Sequence, residues 1–317
     1  MRSIRGKRAL VTGAASGIGR AIALALAKEG ADICLVDINE AGLEEVAEAI
    51  DNLGVRVFPI CCDVSRDREI AATVEKLLEA WGGLEILVNN AGVLHYGPTH
   101  RMTEDQWERV MAVNLLAPIH FTRLLLRTLL RQPEAHLINV SSMYGLFATQ
   151  KTAAYHATKF GLQGLTESLR AEYGRQGIGV TAVCPGYVTS NLFEAGTTSA
   201  QAEERRRPPA WACTTPDIVA RKTIRAIYRN RRLVLVTPLA YAGYYLKRIA
   251  PWLLDWIQHW GQSRHTHQRL HPQVSPSAEW EIPLADKLPS REQLPDPPLD
   301  CPATYSRIPR ATTSASK

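Results

Sequence analysis

Tyr155 and Lys159 stand four residues apart in the run YHATKFGLQGL, whose spacing is helical, so both side chains fall on one face. A phenol titrates near 10 and is a poor base at neutral pH. A neighbouring ammonium favours the phenolate and should draw that value down toward neutrality, which is how a tyrosine becomes a working acid/base. Ser142 precedes Tyr155 by thirteen residues and closes the apolar run HLINVSS. Elements that neighbour one another in a sheet bring such residues together, and a hydroxyl there can hold a substrate oxygen while Tyr155 moves the proton. Asn114 is a polar residue among apolar neighbours in VMAVNLLAP. It is either a satisfied buried amide or a link in a proton relay from Lys159. His95 and Tyr187 are candidate substrate contacts or simple wall.

A second set of residues suits a dinucleotide. TGAASGIGR places Gly13, Gly17 and Gly19 between an apolar run and a helical one, with Ser16 and Ile18 inside the turn. Glycine permits a tight turn and close approach to a pyrophosphate, and the new helix offers free N–H groups and a positive dipole end. The spacing, Gly-x3-Gly-x-Gly, differs from the commoner fingerprint. Asp37 ends the second apolar run eighteen residues past Gly19. It can accept from the adenosine ribose hydroxyls and repel a 2′-phosphate, cap the next helix, or do both. No Lys or Arg stands at Ser16 or directly after Asp37 to receive that phosphate, so NAD is expected ahead of NADP. Asp63 and Val64 suit the adenine edge and face. Asn90, Ala91 and Gly92, after Asn89, suit clearance for the cofactor and stabilisation of the central sheet.

The elements that must hold these residues alternate. Strand-like runs fall at 8–12, 31–37, 55–62, 84–89, 135–141, 179–184 and 232–236, with helical runs starting near Ile18, Glu40, Arg66, Thr103, Pro118, Ala154 and Pro216. The early strands, such as ICLV and LEILV, are continuously apolar, as strands buried on both faces are. Regular alternation of this kind predicts an α/β, doubly wound, Rossmann-like parallel sheet with helices on both faces. Its ligand is expected at the carboxyl ends of the strands, where the order reverses.

Taken in order and spacing, TGAASGIG, Asp37, Asp63, NNAG, Asn114, Ser142 in SSMYG, YHATK and PGYVTS resemble the short-chain dehydrogenase/reductases over about 1–240. The resemblance implies that Tyr155 is the acid/base, that Lys159 also binds the nicotinamide ribose, and that Ser142 positions the substrate. It implies a relay water held by Asn114 and a nicotinamide site lined by Pro185, Gly186 and Val188. The family places a threonine where Ser190 stands here, with Thr189 beside it; either hydroxyl can meet the carboxamide. Ser141 competes with Ser142, and the thirteen-residue spacing favours Ser142.

The 317-residue chain carries a net charge of +6, unevenly spread. Residues 1–197 have a balance of −2 and residues 198–317 one of +8, with eleven basic residues and one acidic residue in 205–248. The segment that carries the motifs is slightly acidic, which argues against a nucleic-acid partner. The six cysteines show neither zinc-site nor disulfide spacing and read as reduced thiols; no metal is expected. The first residues hold no apolar run of signal or anchor length, so a cytoplasmic location is expected.

Three regions follow: a catalytic domain at 1–237, an amphipathic aromatic helical segment at 238–260, and a proline-rich tail at 261–317 expected to be disordered. Trp252, Trp256 and Trp260 recur every four residues. Such a stripe is a core or dimer contact, or, with the basic residues of 205–260, a peripheral attachment to an anionic membrane. That segment also resembles the carboxyl ends of family members acting on steroids, retinoids or fatty compounds. The expected activity is hydride transfer between NAD(H) and a small hydrophobic secondary alcohol or ketone, in a homodimer or homotetramer. The alternative is a non-catalytic nucleotide sensor or scaffold on the same fold.

Overall fold

The continuously apolar runs become the centre of the molecule. In the computed structural model, residues 1–189, 197–198 and 212–260 are described, apart from the side chains of Thr197, Thr198, Asp255, Gln258, His259 and Trp260. Ser190 and the tail after residue 260 lie outside the described residues. The main strands are β1 (Arg8–Thr12), β2 (Asp32–Asp37), β3 (Val57–Cys61), β4 (Ile86–Asn89), β5 (Ala135–Val140), β6 (Ile178–Cys184) and β7 (Leu233–Leu235). They form one sheet in the order β7-β6-β5-β4-β1-β2-β3, every neighbouring pair parallel. The order reverses between β1 and β4.

Alternation along each strand sends side chains to two layers. Ala9 and Val11 of β1 meet α1 (Gly17–Lys28), α2 (Glu40–Asp51) and α7 (Pro216–Arg229), through Ile22, Leu26, Val46 and Ile227. Leu10 faces the opposite way, toward α3 (Asp67–Trp81), α5 (Ala117–Leu130) and α6 (Ala153–Tyr173), through Ile70, Phe121, Leu125 and Leu169. All seven expected strands form, their ends moved by at most two residues, and all seven expected helices start within one residue of the predicted place. Two short parallel ladders were not foreseen: His95–Tyr96 with Thr197–Thr198, and Tyr187–Val188 with Cys213–Thr214.

One helical run departs from the ordinary geometry. α4 (Glu104–Met111) is closed at its start by a reciprocal Thr103–Gln106 capping box and passes into α5 through a π turn at Ala112–Leu116. The cause lies at Pro118, whose ring conflicts with the carbonyl four residues earlier in a regular helix. That carbonyl belongs to Asn114, so the widened turn falls on a predicted site residue.

The aromatic segment is two helices rather than one. α8 (Pro238–Ile249) ends where Ala250 leaves helical backbone ahead of Pro251, which opens α9 (Pro251–Trp260). α8 lies against the loop after β5. Gly243 packs against the Phe147 ring so closely that a side chain there would occupy the ring's place.

Candidate active site

A cleft of about 820 Å3 follows the carboxyl ends of the strands across the reversal in their order. Gly13, Asp37, Asp63 and Asn90 line one part of it, Ser142 and Tyr155 the other.

At the first part, β1 delivers the chain into the glycine turn. Gly13 has φ +66°, a conformation L side chains resist, and a Cβ on it would meet Asn90 and Ala91 within 3 Å. A Cβ on Gly19 would collide with the Gly13 carbonyl. Asn90 clamps this turn: its Nδ2 donates to the carbonyls of Thr12 (2.9 Å) and Gly13 (3.2 Å). The Thr12 hydroxyl receives the Asn90 and Ala91 amides in return, at 2.9 and 3.0 Å. Asn89, its neighbour, turns the other way and donates to Asn139 Oδ1 of β5 at 2.9 Å.

Asp37 holds two turns at once. Its carboxylate accepts from the Ala15 amide and the Asn39 amide, each at 3.0 Å. It does not cap α2; Asn39 does, through the Gly42 amide at 3.1 Å. Asp63 is tied to Ser65 Oγ at 2.7 Å. Burial opposes ionisation there, but the Ser65 hydroxyl and amide and the Arg66 guanidinium hold the carboxyl below its usual range. Ser16, Gly17, Ile18, Val64, Ala91 and Gly92 complete this wall. Because the turn is kept tight by glycine and opens onto the cleft at the start of α1, the residues present fit a dinucleotide, whose pyrophosphate would be held by the Gly13–Gly17 backbone and the α1 N-terminus.

At the second part, four elements converge. β5 leads to Ser142, α6 supplies Tyr155 and Lys159, β6 leads to Pro185 and Gly186, and Val188 follows. The Ser142 hydroxyl accepts the Tyr144 amide at 3.1 Å and lies near enough to the Tyr155 phenol to ease its ionisation. Ser141 points elsewhere, donating to the Lys159 carbonyl at 3.1 Å, which leaves Ser142 as the site serine. Lys159 Nζ donates to the Val140 carbonyl at 3.0 Å and lies 5.5 Å from the centre of the Tyr155 ring.

The expected lowering of the phenol is not found. Burial, only partly offset by the nearby Ser142 hydroxyl, pushes Tyr155 up to about 12. Burial likewise pushes Lys159 down to about 8. Helical spacing brings the pair together, but the ammonium is spent on a β5 carbonyl, and loss of water around both groups outweighs their attraction.

Asn114 is wholly buried, and its side chain serves the loop after β4. Nδ2 donates to the Val93 carbonyl (2.8 Å) and Thr158 Oγ1 (3.3 Å), while Oδ1 accepts the Val93 amide (2.8 Å). It is a satisfied amide, and it faces Lys159 across Gly92: a Cβ there would lie 3.4 Å from Asn114 Oδ1 and 3.7 Å from Lys159 Nζ. Besides Asn114, three predicted site residues fall away from the cleft wall. His95 is buried in its short ladder, Gly19 lies beneath the turn, and the exposed Thr189 gives its amide to the Thr214 carbonyl at 2.9 Å.

Two residues of the second part were missed. Tyr144 forms an edge-on contact with the Tyr155 ring at 6.2 Å and shares a 3.0 Å hydroxyl contact with Tyr187. His156 holds Tyr144 in place. Its Nε2 accepts the Thr149 amide at 2.9 Å, which leaves Nδ1 to donate to the Tyr144 carbonyl at 2.8 Å. Both lie in motifs that the sequence singles out, SSMYG and YHATK, but neither type nor spacing marks them.

Residues 7–201 match the family model described as short chain dehydrogenase. The chain is 35% identical over 252 residues to the probable oxidoreductase EphD of Mycobacterium tuberculosis, covering 76% of this chain and 43% of that protein. It is 32% identical over 217 residues to the 3-oxoacyl-[acyl-carrier-protein] reductase FabG of Thermotoga maritima, covering 68% of this chain and 88% of that one. A solved short chain dehydrogenase/reductase from Burkholderia phymatum in complex with NAD superposes with a TM-score of 0.71 at 28% identity. That match covers 80% of this chain and 97% of the other. The chain thus spans less than half the length of the mycobacterial relative. It belongs to the short chain dehydrogenase family.

Proposed function

We propose that the protein transfers a hydride between NAD(H) and a hydrophobic secondary alcohol or ketone, with Tyr155 as the acid/base. The observation that carries this reading is the meeting of Ser142, Tyr155 and Lys159 on one wall of a cleft whose other end is a glycine turn fitted to a dinucleotide. The dinucleotide, when bound, supplies or accepts the hydride. Ser142 holds the substrate oxygen against Tyr155. In reduction the phenol gives its proton to that oxygen; in oxidation the phenolate takes the proton from the alcohol. A phenol pushed up to about 12 is protonated at neutral pH, the form that donates in reduction. Lys159 keeps a positive charge beside the reacting oxygen below about pH 8. Its place across Gly92 from Asn114 supports a relay that returns the proton through bridging water.

Asp37 supports NAD over NADP: its carboxylate lies on the cleft wall, fixed by two amides, with the exposed Ile38 after it rather than a base. The rings of Tyr144, Tyr187, Tyr155 and Met143 support a lipophilic substrate, with the two linked phenols as its polar contact. The test is a screen of steroid, retinoid and long-chain ketones and alcohols, followed by NADH absorbance. Turnover is expected with NADH in preference to NADPH, and Tyr155→Phe should lower kcat by about 10²–10⁴ while NADH affinity stays within a few-fold. More than a tenth of wild-type kcat in that variant would remove Tyr155 from its role.

A further inference from the structure

We propose that α8 and α9 form an in-plane attachment to an anionic lipid bilayer. The outer side of α8 presents Tyr241, Tyr245 and Ile249, four residues apart and therefore in line along the helix. Past the break at Pro251 the series continues with Trp252, Trp256 and Ile257 on α9. Ile249 is 79% exposed, Trp252 69% and Trp256 52%. The inner side of α8 is already used, with Ala240 and Gly243 buried against the loop that carries Phe147. The stripe is therefore a second, outward apolar face on a helix whose first face has found its partner.

Charge identifies the occupant. Between Ile218 and Leu254 the sequence has no Asp or Glu and eight Lys or Arg. Several of these stand at the edge of the stripe. The Arg248 guanidinium lies 3.8 Å from the centre of the Tyr244 ring, and Tyr244 packs edge-on against Tyr245 at 5.2 Å. Lys222 Nζ lies 6.0 Å from the Tyr241 ring while donating to the Leu235 and Val236 carbonyls, and burial, then the neighbouring Arg225, lowers its pKa. Aromatic side chains at the depth of the headgroups, flanked by cations that reach lipid phosphates, are what an interfacial helix needs.

As described, neither helix is long enough to span by itself. α8 has twelve residues and α9 ten, about 18 and 15 Å of helix against a hydrocarbon core of about 30 Å. Among the described residues the run apolar and long enough to cross is Glu104–Leu130, whose Phe121, Leu125 and Leu129 are packed beneath the sheet.

The experiment is co-sedimentation of the full chain with vesicles of phosphatidylcholine and phosphatidylglycerol (1:1) or of phosphatidylcholine alone, at 0.1 and 1 M salt. The expected result is partition onto the mixed vesicles at least about ten-fold stronger than onto phosphatidylcholine, and several-fold weaker in high salt. Trp252→Ser with Trp256→Ser, and separately Arg248→Glu, should each lower partition by about ten-fold or more with the melting temperature kept. Trp107→Ser, on α4 and outside the stripe, should change nothing. Two results overturn the proposal. One is equal partition onto both vesicles by the wild type. The other is unaltered partition by the double variant together with a smaller species in sedimentation velocity, which would make the stripe a contact between copies of the chain.

Discussion

At the β1 side of the cleft the wall is backbone: a glycine turn, the amides of Ala15 and Asn39 on Asp37, and Asn90 bound to two carbonyls. At the β5 side it is rings and side-chain ends: Tyr155, Tyr144, Tyr187 and the Lys159 ammonium. The first wall is shaped by where atoms are forbidden, since a Cβ at Gly13 would strike Asn90 and Ala91, and one at Gly19 would strike the Gly13 carbonyl from beneath. The second is shaped by what has been taken out of water, since burial moves both Tyr155 and Lys159 far from their ordinary titration. A steric wall should respond to substitution abruptly, and a desolvated one in proportion to charge and pH.

The largest effect is expected at the steric wall. Gly19→Val drives a side chain into the Gly13 carbonyl, so NADH binding, followed by fluorescence titration, should weaken by more than about a hundred-fold, with about 1–3 kcal/mol of stability lost to overpacking. Binding within ten-fold of wild type would show that the turn relaxes, and would erase the contrast.

The next effect lies on the desolvated side and has the opposite sign for stability. Lys159 has its folded-state pKa lowered from 10.5 to about 8, so below pH 8 it is charged in both states and burial costs on the order of 3 kcal/mol. Between about 8 and 10.5 only the unfolded chain is protonated, and the cost fades. Lys159→Met should therefore raise the melting temperature at pH 7 by several degrees, lose the advantage as pH rises through that window, and abolish turnover. A variant that melts lower than wild type at pH 7 would mean that the Val140 hydrogen bond outweighs desolvation.

Smaller changes sharpen the two sides. Asp37→Ala with Ile38→Arg removes a fixed carboxylate and adds a phosphate partner, and should shift the NAD:NADP ratio of kcat/KM by about ten-fold or more. A wild type that already prefers NADPH would overturn the reading of Asp37 before any variant is made. Least of all, Tyr187→Phe breaks the hydroxyl contact with Tyr144, worth about 0.5–1.5 kcal/mol. It should raise KM a few-fold and leave NADH affinity alone; an equal loss in both would place Tyr187 against the cofactor.

The contrast also explains what could be read from the chain. Backbone shape is written in residue type, so Gly13, Asn90 and the period of the strands lead directly to the cradle and the sheet. Ser142, Tyr155 and Lys159 are legible through spacing, because strand and helix geometry convert thirteen and four residues into proximity. Titration was misjudged, because it depends on how much water three other elements exclude. Tyr144 and His156 were missed for a related reason: their roles come from a loop folding back on α6, which no local period encodes. The two-helix form of 238–260 was partly legible, since Pro251 stands in plain sight as a breaker.

The order of the strands has a consequence for solubility. A sheet with two open sides offers rows of unpaired amides that another chain can extend. Here one border is β3. Its Cys62 end donates inward to Asp37, and the Arg56 carbonyl receives Ile33, so alternate residues in between, Pro59 among them, turn their backbone groups outward. Proline has no amide hydrogen, and the outward row is interrupted at its middle. The opposite border, β7, is three residues long and preceded by Arg231 and Arg232. Neither border is a ready template on which a stranger's strand could grow, so both sides of the long parallel sheet are guarded against edge-to-edge extension.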